Sequence, residues 1–169
     1  MKNKEIERKF LIDKDKIPFD LEKINYSNIL QGYITSIDNS FVFRLRQILY
    51  CEPSSYVLFE KYFQTIKGKG SKIRDEYEIE LTKEQFSKIW LLCKNIIVHK
   101  FRYELKTANN EIIYLDVYKN QLRGLYTAEV EFDTIEDCDA YKPESWFGEE
   151  VTNNYDYTNL NLSRNGLSK

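Results

Sequence analysis

Apolar and polar residues alternate along most of this chain, and the alternation has a period of two. The strongest case is Arg74–Asp75–Glu76–Tyr77–Glu78–Ile79–Glu80–Leu81, alternating over eight residues, which predicts a strand. Residues 4–12 read the same way: Glu5, Glu7 and Lys9 share one face, Ile6 and Phe10 the other. Further strands are expected at Leu30–Ile34, Phe41–Arg46, Val57–Lys67, Val98–Lys106, Glu111–Tyr118 and Ala128–Phe132. Turn chemistry separates them at Ser36–Ser40, Gly68–Ser71, Asn109–Asn110 and Arg123–Gly124. Residues 13–26, interrupted by Pro18, read as a short helix or loop, and residues 47–56, with Pro53–Ser54–Ser55, as a loop.

The period changes once, clearly, to that of a helix. Thr82 and Gln85 have the spacing of a capping box, and Phe86, Ile89, Trp90, Cys93 and Ile97 follow on one stripe, predicting a helix over 83–95 whose apolar side packs on the core. Thr134–Tyr141 is expected to form a short helix. The C-terminal stretch after Trp146 reads as loop with at most one helical turn. The fold class is therefore mainly β (α+β), with 1–169 as one domain.

Composition narrows the classes of function. With 25 basic and 27 acidic residues the net charge is −2, without the basic excess of a general nucleic-acid binder. No apolar run approaches the roughly 20 residues that span a bilayer, and the charged N-terminus has no secretory apolar segment. Three cysteines, Cys51, Cys93 and Cys138, are far apart and odd in number, so neither a disulfide framework nor a zinc site is indicated. A cytoplasmic protein, monomer or homodimer, with no membrane partner is expected. His99, the one histidine, precedes Lys100 and falls on the opposite strand face, as a packing residue.

The signs of the charges carry more information than their number. Opposite an apolar face each strand sets like charges two residues apart: Arg44 and Arg46; Glu76, Glu78 and Glu80; Lys100 and Arg102; Glu129 and Glu131. An antiparallel sheet with one wet face would alternate in this manner. A face that only met water would mix the signs, because segregated like charges repel. Converging inside a closed barrel, the two sets would suit a polyanion held with divalent metal: basic groups on phosphoryl oxygens, carboxylates on the metal. The pattern alone leaves both arrangements open.

The motifs, in order, resemble those of the CYTH domain, the triphosphate tunnel metalloenzyme family. Glu5–Ile6–Glu7–Arg8–Lys9 resembles its E-x-E-x-K opening, Gln31–Gly32–Tyr33 its Q-G-Y and Arg44–Leu45–Arg46 its R-x-R. Thr65–Ile66–Lys67–Gly68, Arg74-x-Glu76-x-Glu78, Lys100-x-Arg102–Tyr103, Leu115–Asp116–Val117–Tyr118 and Gly124–Leu125 with Ala128–Glu129–Val130–Glu131 continue the series. Trp146-x-Gly148-x-Glu150–Val151–Thr152 with Tyr157-x-Asn159 is similar to its closing segment. The resemblance spans essentially the whole chain. It implies an antiparallel barrel of about eight strands, closed or nearly so, around a charged tunnel with helices outside, and hydrolysis of a triphosphate with Mg²⁺ or Mn²⁺.

By motif position, Lys9, Arg44, Arg46, Lys67, Arg74, Lys100 and Arg102 would bind substrate. Glu5, Glu7, Glu76, Glu78, Asp116, Glu129 and Glu131 would hold metal or position water, and Glu5, Glu7, Glu78 and Lys9 would be catalytic. Glu80 extends the acidic run as a rim residue, and Arg8 faces outward by phase. Two departures stand out: a longer stretch between Arg46 and Thr65, and Asn153–Asn154–Tyr155–Asp156–Tyr157 where similar triphosphatases carry a basic residue. The second departure puts closure of the tunnel by the C-terminal segment in question. Inorganic triphosphate is the expected substrate, since the short chain adds no nucleotide-binding domain. Adenylate cyclisation, thiamine triphosphate hydrolysis and non-catalytic polyphosphate binding are the alternatives.

Overall fold

A computed structural model describes residues 4–35, 42–67, 73–93, 96–107 and 111–167, with the side chains at 4, 5, 67 and 73–76 outside that description. The turns expected at Ser36–Ser40, Gly68–Ser71 and Asn109–Asn110 also lie outside the described residues. Among the described residues nine strands form one antiparallel sheet: β1 (Lys4–Ile12), β2 (Tyr26–Thr35), β3 (Val42–Cys51), β4 (Val57–Lys67), β5 (Ile73–Leu81), β6 (Ile97–Lys106), β7 (Ile112–Tyr118), β8 (Tyr126–Phe132) and β9 (Phe147–Glu150). Their order is β5-β4-β3-β2-β6-β7-β8-β1-β9. β1 also meets β5, setting Lys4, Glu5 and Ile6 opposite Asp75, Arg74 and Ile73.

Three helices accompany the sheet: α1 (Lys83–Trp90), α2 (Ile135–Ala140) and α3 (Asn159–Asn165). The capping box of α1 forms as its sequence demands: Gln85 N–H donates to Thr82 Oγ1 at 3.2 Å, and Thr82 N–H to Gln85 Oε1 at 2.9 Å. The helix ends at Trp90 and tightens into a 3₁₀ turn, Leu91–Cys93, and residues 94 and 95 of the expected span lie outside the described residues. Phe86 and Cys93 then pack on Leu45 and Tyr62 of the outer sheet face. Gly32 makes this approach possible, since a Cβ there would lie 2.7 Å from Cys93 Cβ.

The outer face of β1, β6, β7 and β8 carries the largest core, built on Phe10, Leu115, Val130 and Phe132 and covered by Cys138, Tyr141 and Trp146. Residues 13–25 hold two 3₁₀ turns, whose Ile17, Leu21 and Ile24 pack on the same core. Arg8 is on this outer side: its guanidinium donates to Glu150 Oε2 at 2.6 Å and to the Tyr141 carbonyl at 2.9 Å, fastening the end of α2 and β9 to β1. His99 is outward too, with Nε2 2.8 Å from Asn28 Oδ1.

Two expectations are corrected. Residues 47–56 are not a loop: β3 continues to Cys51 and β4 begins at Val57, leaving a tight tip whose Ser55 has φ +68°. The C-terminal stretch is not mostly loop, because it supplies β9 and α3. Among the described residues, no helix is long and apolar enough to cross a membrane.

Candidate functional site

Residues directly opposed in antiparallel strands share a sheet face, so the register shows which charges come together. One row runs Glu80–Phe63–Arg46–Gln31–Val98 across β5, β4, β3, β2 and β6. Beside it Glu78–Thr65–Arg44–Tyr33 spans β5 to β2. Lys100 is opposite Tyr118 and Arg102 opposite Asp116, while Lys9 is opposite Glu129 and Glu7 opposite Glu131. At positions whose side chains are outside the description, Lys67 is opposite Glu76 and Glu5 opposite Arg74. Every expected site residue thus occupies a position on a single face.

This face is unusually dry for its charge. Lys9, Gln31, Arg44, Thr65, Lys100, Asp116, Thr127 and Glu129 are all buried on it. Charge of this kind persists inside a fold only with partners or a ligand. On β1, β6, β7 and β8 the partners are present. Asp116, fully buried, accepts from Lys100 Nζ and from Arg102 Nε and Nη2, both at 2.7 Å. Glu129 accepts from Arg102 and lies 3.1 Å from Lys9 Nζ. Lys9 also reaches the Tyr157 carbonyl at 3.1 Å and Tyr118 Oη at 3.4 Å, and Tyr118 in turn donates to Asn159 Oδ1 at 2.7 Å.

The C-terminal segment is therefore tied into the face through Tyr157 and Asn159, without the basic residue that this chain lacks there. Leu160 and Leu162 of α3 pack with Tyr33, Val98 and Tyr118, covering one end of the charged face.

Electrostatics follow these contacts. Burial would lower the pKa of Lys9, but Tyr118, Glu129, Asp116 and Glu7 around it raise it. Glu129 is buried as well, yet Arg102, Lys9 and Lys100 hold its carboxyl well below the ordinary range. Burial, with Arg102 and Lys9 nearby, pushes Lys100 down to about 7 in spite of Asp116. Arg46 differs in kind. Burial and the neighbouring Arg44 and Arg102 lower its pKa to about 10, and its Nε meets no hydrogen-bond acceptor among the described residues. Gln31 Oε1 and Thr127 Oγ1, on the same face, are likewise buried without a partner there. Arg44 is braced differently, by Glu78 at 3.2 Å and by Thr65, whose hydroxyl also donates to Glu78 at 2.7 Å.

Among the described residues no three carboxylate, histidine or cysteine side chains converge on a metal position. What the face does offer is an all-oxygen pair, Glu7 directly opposite Glu131, which suits a hard divalent ion better than a soft one. Charge patterning did not mark Gln31, Thr65 and Thr127, since none is charged; Gln31 and Thr65 stand inside recognisable motifs, and Thr127 carries no signal of its own.

An antiparallel sheet of this topology, with one face of converging basic and acidic residues, is the arrangement that the CYTH resemblance implies. No family model matches the sequence. The chain is 35% identical to an inorganic triphosphatase of Nitrosomonas europaea, covering 94% of this chain and 96% of that one. It is 30% identical to an inorganic triphosphatase of Acetivibrio thermocellus over 96% and 94%. Among solved structures, an inorganic triphosphatase superposes with a TM-score of 0.65 at 34% identity, over 94% of this chain and 93% of its own. A Hippeastrum protein described as an adenylyl cyclase with dominant triphosphatase activity shares the fold at 12% identity, with a TM-score of 0.55 over 80% and 82%. The chain belongs to the CYTH family, among the bacterial inorganic triphosphatases.

Proposed function

We propose that this protein hydrolyses a phosphoanhydride bond of inorganic triphosphate, with residues 1–169 acting as one domain whose sheet closes into a tunnel. The pairing of β1 with β5 supports closure, since those strands begin and end the run of eight. The observation that carries the reading is Arg46, a half-buried guanidinium beside Arg44 and Arg102 whose buried Nε has no acceptor among the described residues. A polyphosphate supplies the acceptors and the negative charge that this position lacks. The relatives named as inorganic triphosphatases support that choice of substrate over adenylate cyclisation.

Lys9, Arg44, Arg46, Lys100 and Arg102, with Lys67 and Arg74 from the rows beyond them, would grip the phosphoryl oxygens. Asp116 is engaged by Lys100 and Arg102, so its role is to hold those two cations in place. Glu7, Glu129 and Glu131, joined by Glu5 and Glu76 by position, would hold Mg²⁺ or Mn²⁺, with Glu129 also balancing Lys9 beside them. A bound divalent ion would neutralise phosphoryl oxygens as charge shifts to the leaving group. Glu78, fixed by Thr65 and Arg44 but still partly open to solvent, would orient the attacking water. Most of the rate would come from placement and fixed charge.

The test is phosphate release from inorganic triphosphate, ATP and thiamine triphosphate side by side, with Mg²⁺ or Mn²⁺ and with excess EDTA. Fast release from inorganic triphosphate that EDTA abolishes is expected. Absence of release would refute the function, and release undiminished by EDTA would refute the metal.

A further inference from the structure

Gln31 stands in the middle of the charged face without being charged. Its register partners are Arg46 on β3 and Val98 on β6, and Arg44 and Lys100 are diagonal to it. Neighbours of both kinds lie within about 8 Å on a shared face, so three cationic positions surround this amide. Gln31 is fully buried, and its Nε2 donates to Tyr33 Oη at 2.8 Å. Its Oε1 is buried too and meets no donor among the described residues. Across the ladder, Arg46 Nε is buried and meets no acceptor there.

A buried amide kept for packing alone normally has both ends met. A water shared with Arg46 would be a purely structural solution, and triphosphate affinity would then hardly depend on Gln31. A second solution follows from the shape of the amide. Its two ends are nearly alike and the terminal torsion of a glutamine is soft, so the group can turn over in place. A tyrosine hydroxyl both donates and accepts, so Tyr33 can hold either end. With the amide turned over, Tyr33 Oη donates to Oε1 and the NH₂ group faces the space beside Arg46. An ionised phosphoryl oxygen only accepts, so it is repelled by the carbonyl end and bound by the NH₂ end.

We propose that Gln31 contacts the substrate: its amide, held by the Tyr33 hydroxyl, turns its NH₂ group onto the phosphoryl group that Arg46 binds. The inference rests on the triphosphate-binding reading above and adds an uncharged donor to its cations. An uncharged donor suits this position. Burial and neighbouring cations already lower the pKa of Arg46 and of Lys100, and a further charge between them would add to that repulsion in the empty protein.

The experiment measures affinity for inorganic triphosphate with Mg²⁺ in the wild type, Gln31→Met, Gln31→Glu, Tyr33→Phe and the Gln31→Met/Tyr33→Phe double variant, with urea unfolding to confirm that each is folded. Side-chain amide NMR of the wild type accompanies it. Gln31→Met keeps the length of the side chain and should weaken triphosphate roughly two- to ten-fold, the range of one uncharged hydrogen bond. Gln31→Glu turns a carboxylate towards the phosphoryl group and should bind about ten-fold more weakly still. Tyr33→Phe should weaken binding in the wild type and add nothing to Gln31→Met, because it acts through the amide. In the wild type the Gln31 NH₂ signals should shift or broaden when triphosphate and Mg²⁺ are added, a readout that needs no variant to fold. Unmoved signals in a protein that binds triphosphate overturn the contact, as does a folded Gln31→Met or Gln31→Glu that binds as tightly as the wild type. Fully additive effects of Gln31→Met and Tyr33→Phe overturn the part given to Tyr33. A wild type that neither binds nor hydrolyses triphosphate overturns the proposed function and this contact with it.

Discussion

Arg8 and Lys9 are adjacent in sequence and opposite in face, so exchanging them one at a time separates the fold from the site. Arg8 makes a charged hydrogen bond to the Tyr141 carbonyl and an ion pair with Glu150, whose side chain is 39% exposed. A charge-assisted bond contributes about 1.5 kcal/mol or more, and a solvent-screened pair at most ~1 kcal/mol. Arg8→Ala should therefore cost roughly 1.5–2.5 kcal/mol of stability, read as a fall in Tm of about 3–10 °C for a chain of this size. Its kcat/KM for triphosphate, measured well below the transition, should hardly move. Lys9→Met keeps the stem but removes the ammonium from Glu129, Tyr118 and the Tyr157 carbonyl. Because Glu129 keeps Arg102, the stability cost should fall near the lower end of the ~3–5 kcal/mol typical of a broken buried pair. Losing one charged contact to substrate should lower kcat/KM by roughly ten- to a hundred-fold. The assay is phosphate release, with urea unfolding to confirm that both variants are folded. If Arg8→Ala were as inactive as Lys9→Met in a folded protein, the inward assignment of Glu7 and Lys9 would be wrong.

Glu129→Gln should lose mainly kcat, with partial recovery as Mn²⁺ is raised; the absence of recovery would argue against any part for Glu129 in holding metal. Gly32→Ala should destabilise by about 1–3 kcal/mol by pushing Cys93 and Trp90 off the sheet, and an unchanged urea midpoint would show that this packing is loose. Lys100 should make binding pH-dependent: with its pKa near 7 when empty, affinity for triphosphate should fall as pH rises above 7, and binding near that pH should take up a proton. Calorimetry in buffers of different ionisation enthalpy would show this, and the effect should vanish in Lys100→Met. Folding should respond oppositely, gaining stability from about pH 7 towards 10.5, where the unfolded chain still holds a proton that the folded one has released.

Sequence alternation located the charged face well, because period-two patterning fixes register when one face is apolar. β4 and β5 were readable from it almost to the residue. The hairpin end was not: Pro53–Ser54–Ser55 suggest a longer loop, although Gln47–Cys51 has strand-forming residues that pair with β2 throughout and with β4 across a register shift between Tyr50 and Cys51. β9 is four residues long and held only at the edge of β1, beside a glycine whose Cβ would lie 2.8 Å from the Leu11 carbonyl. α3 is short and asparagine-rich, so its helical state depends on a Thr158 cap and on packing beneath Tyr33 and Tyr118 rather than on propensity. Within the site, charge alone could not separate a ligand-facing residue from a counter-ion. Asp116 and Glu129 look alike in sequence, and only the contacts show how far Lys100, Arg102 and Lys9 already occupy them.

The charged face suits a polyanion, and Arg46 puts this to a single measurement: thermal unfolding of the wild type and Arg46→Met, each with and without millimolar inorganic triphosphate and Mg²⁺. The wild type should be stabilised by about 4 kcal/mol at a thousand-fold excess over Kd, through binding to the folded state alone. Arg46→Met fills a similar volume without a guanidinium beside Arg44 and Arg102, so the empty variant should melt at or above the wild-type temperature, while its ligand-induced stabilisation should fall by about 1.4–2.7 kcal/mol, the ten- to hundred-fold loss of one charged contact. An Arg46→Met protein that melts lower when empty yet gains the full shift from triphosphate would contradict the account.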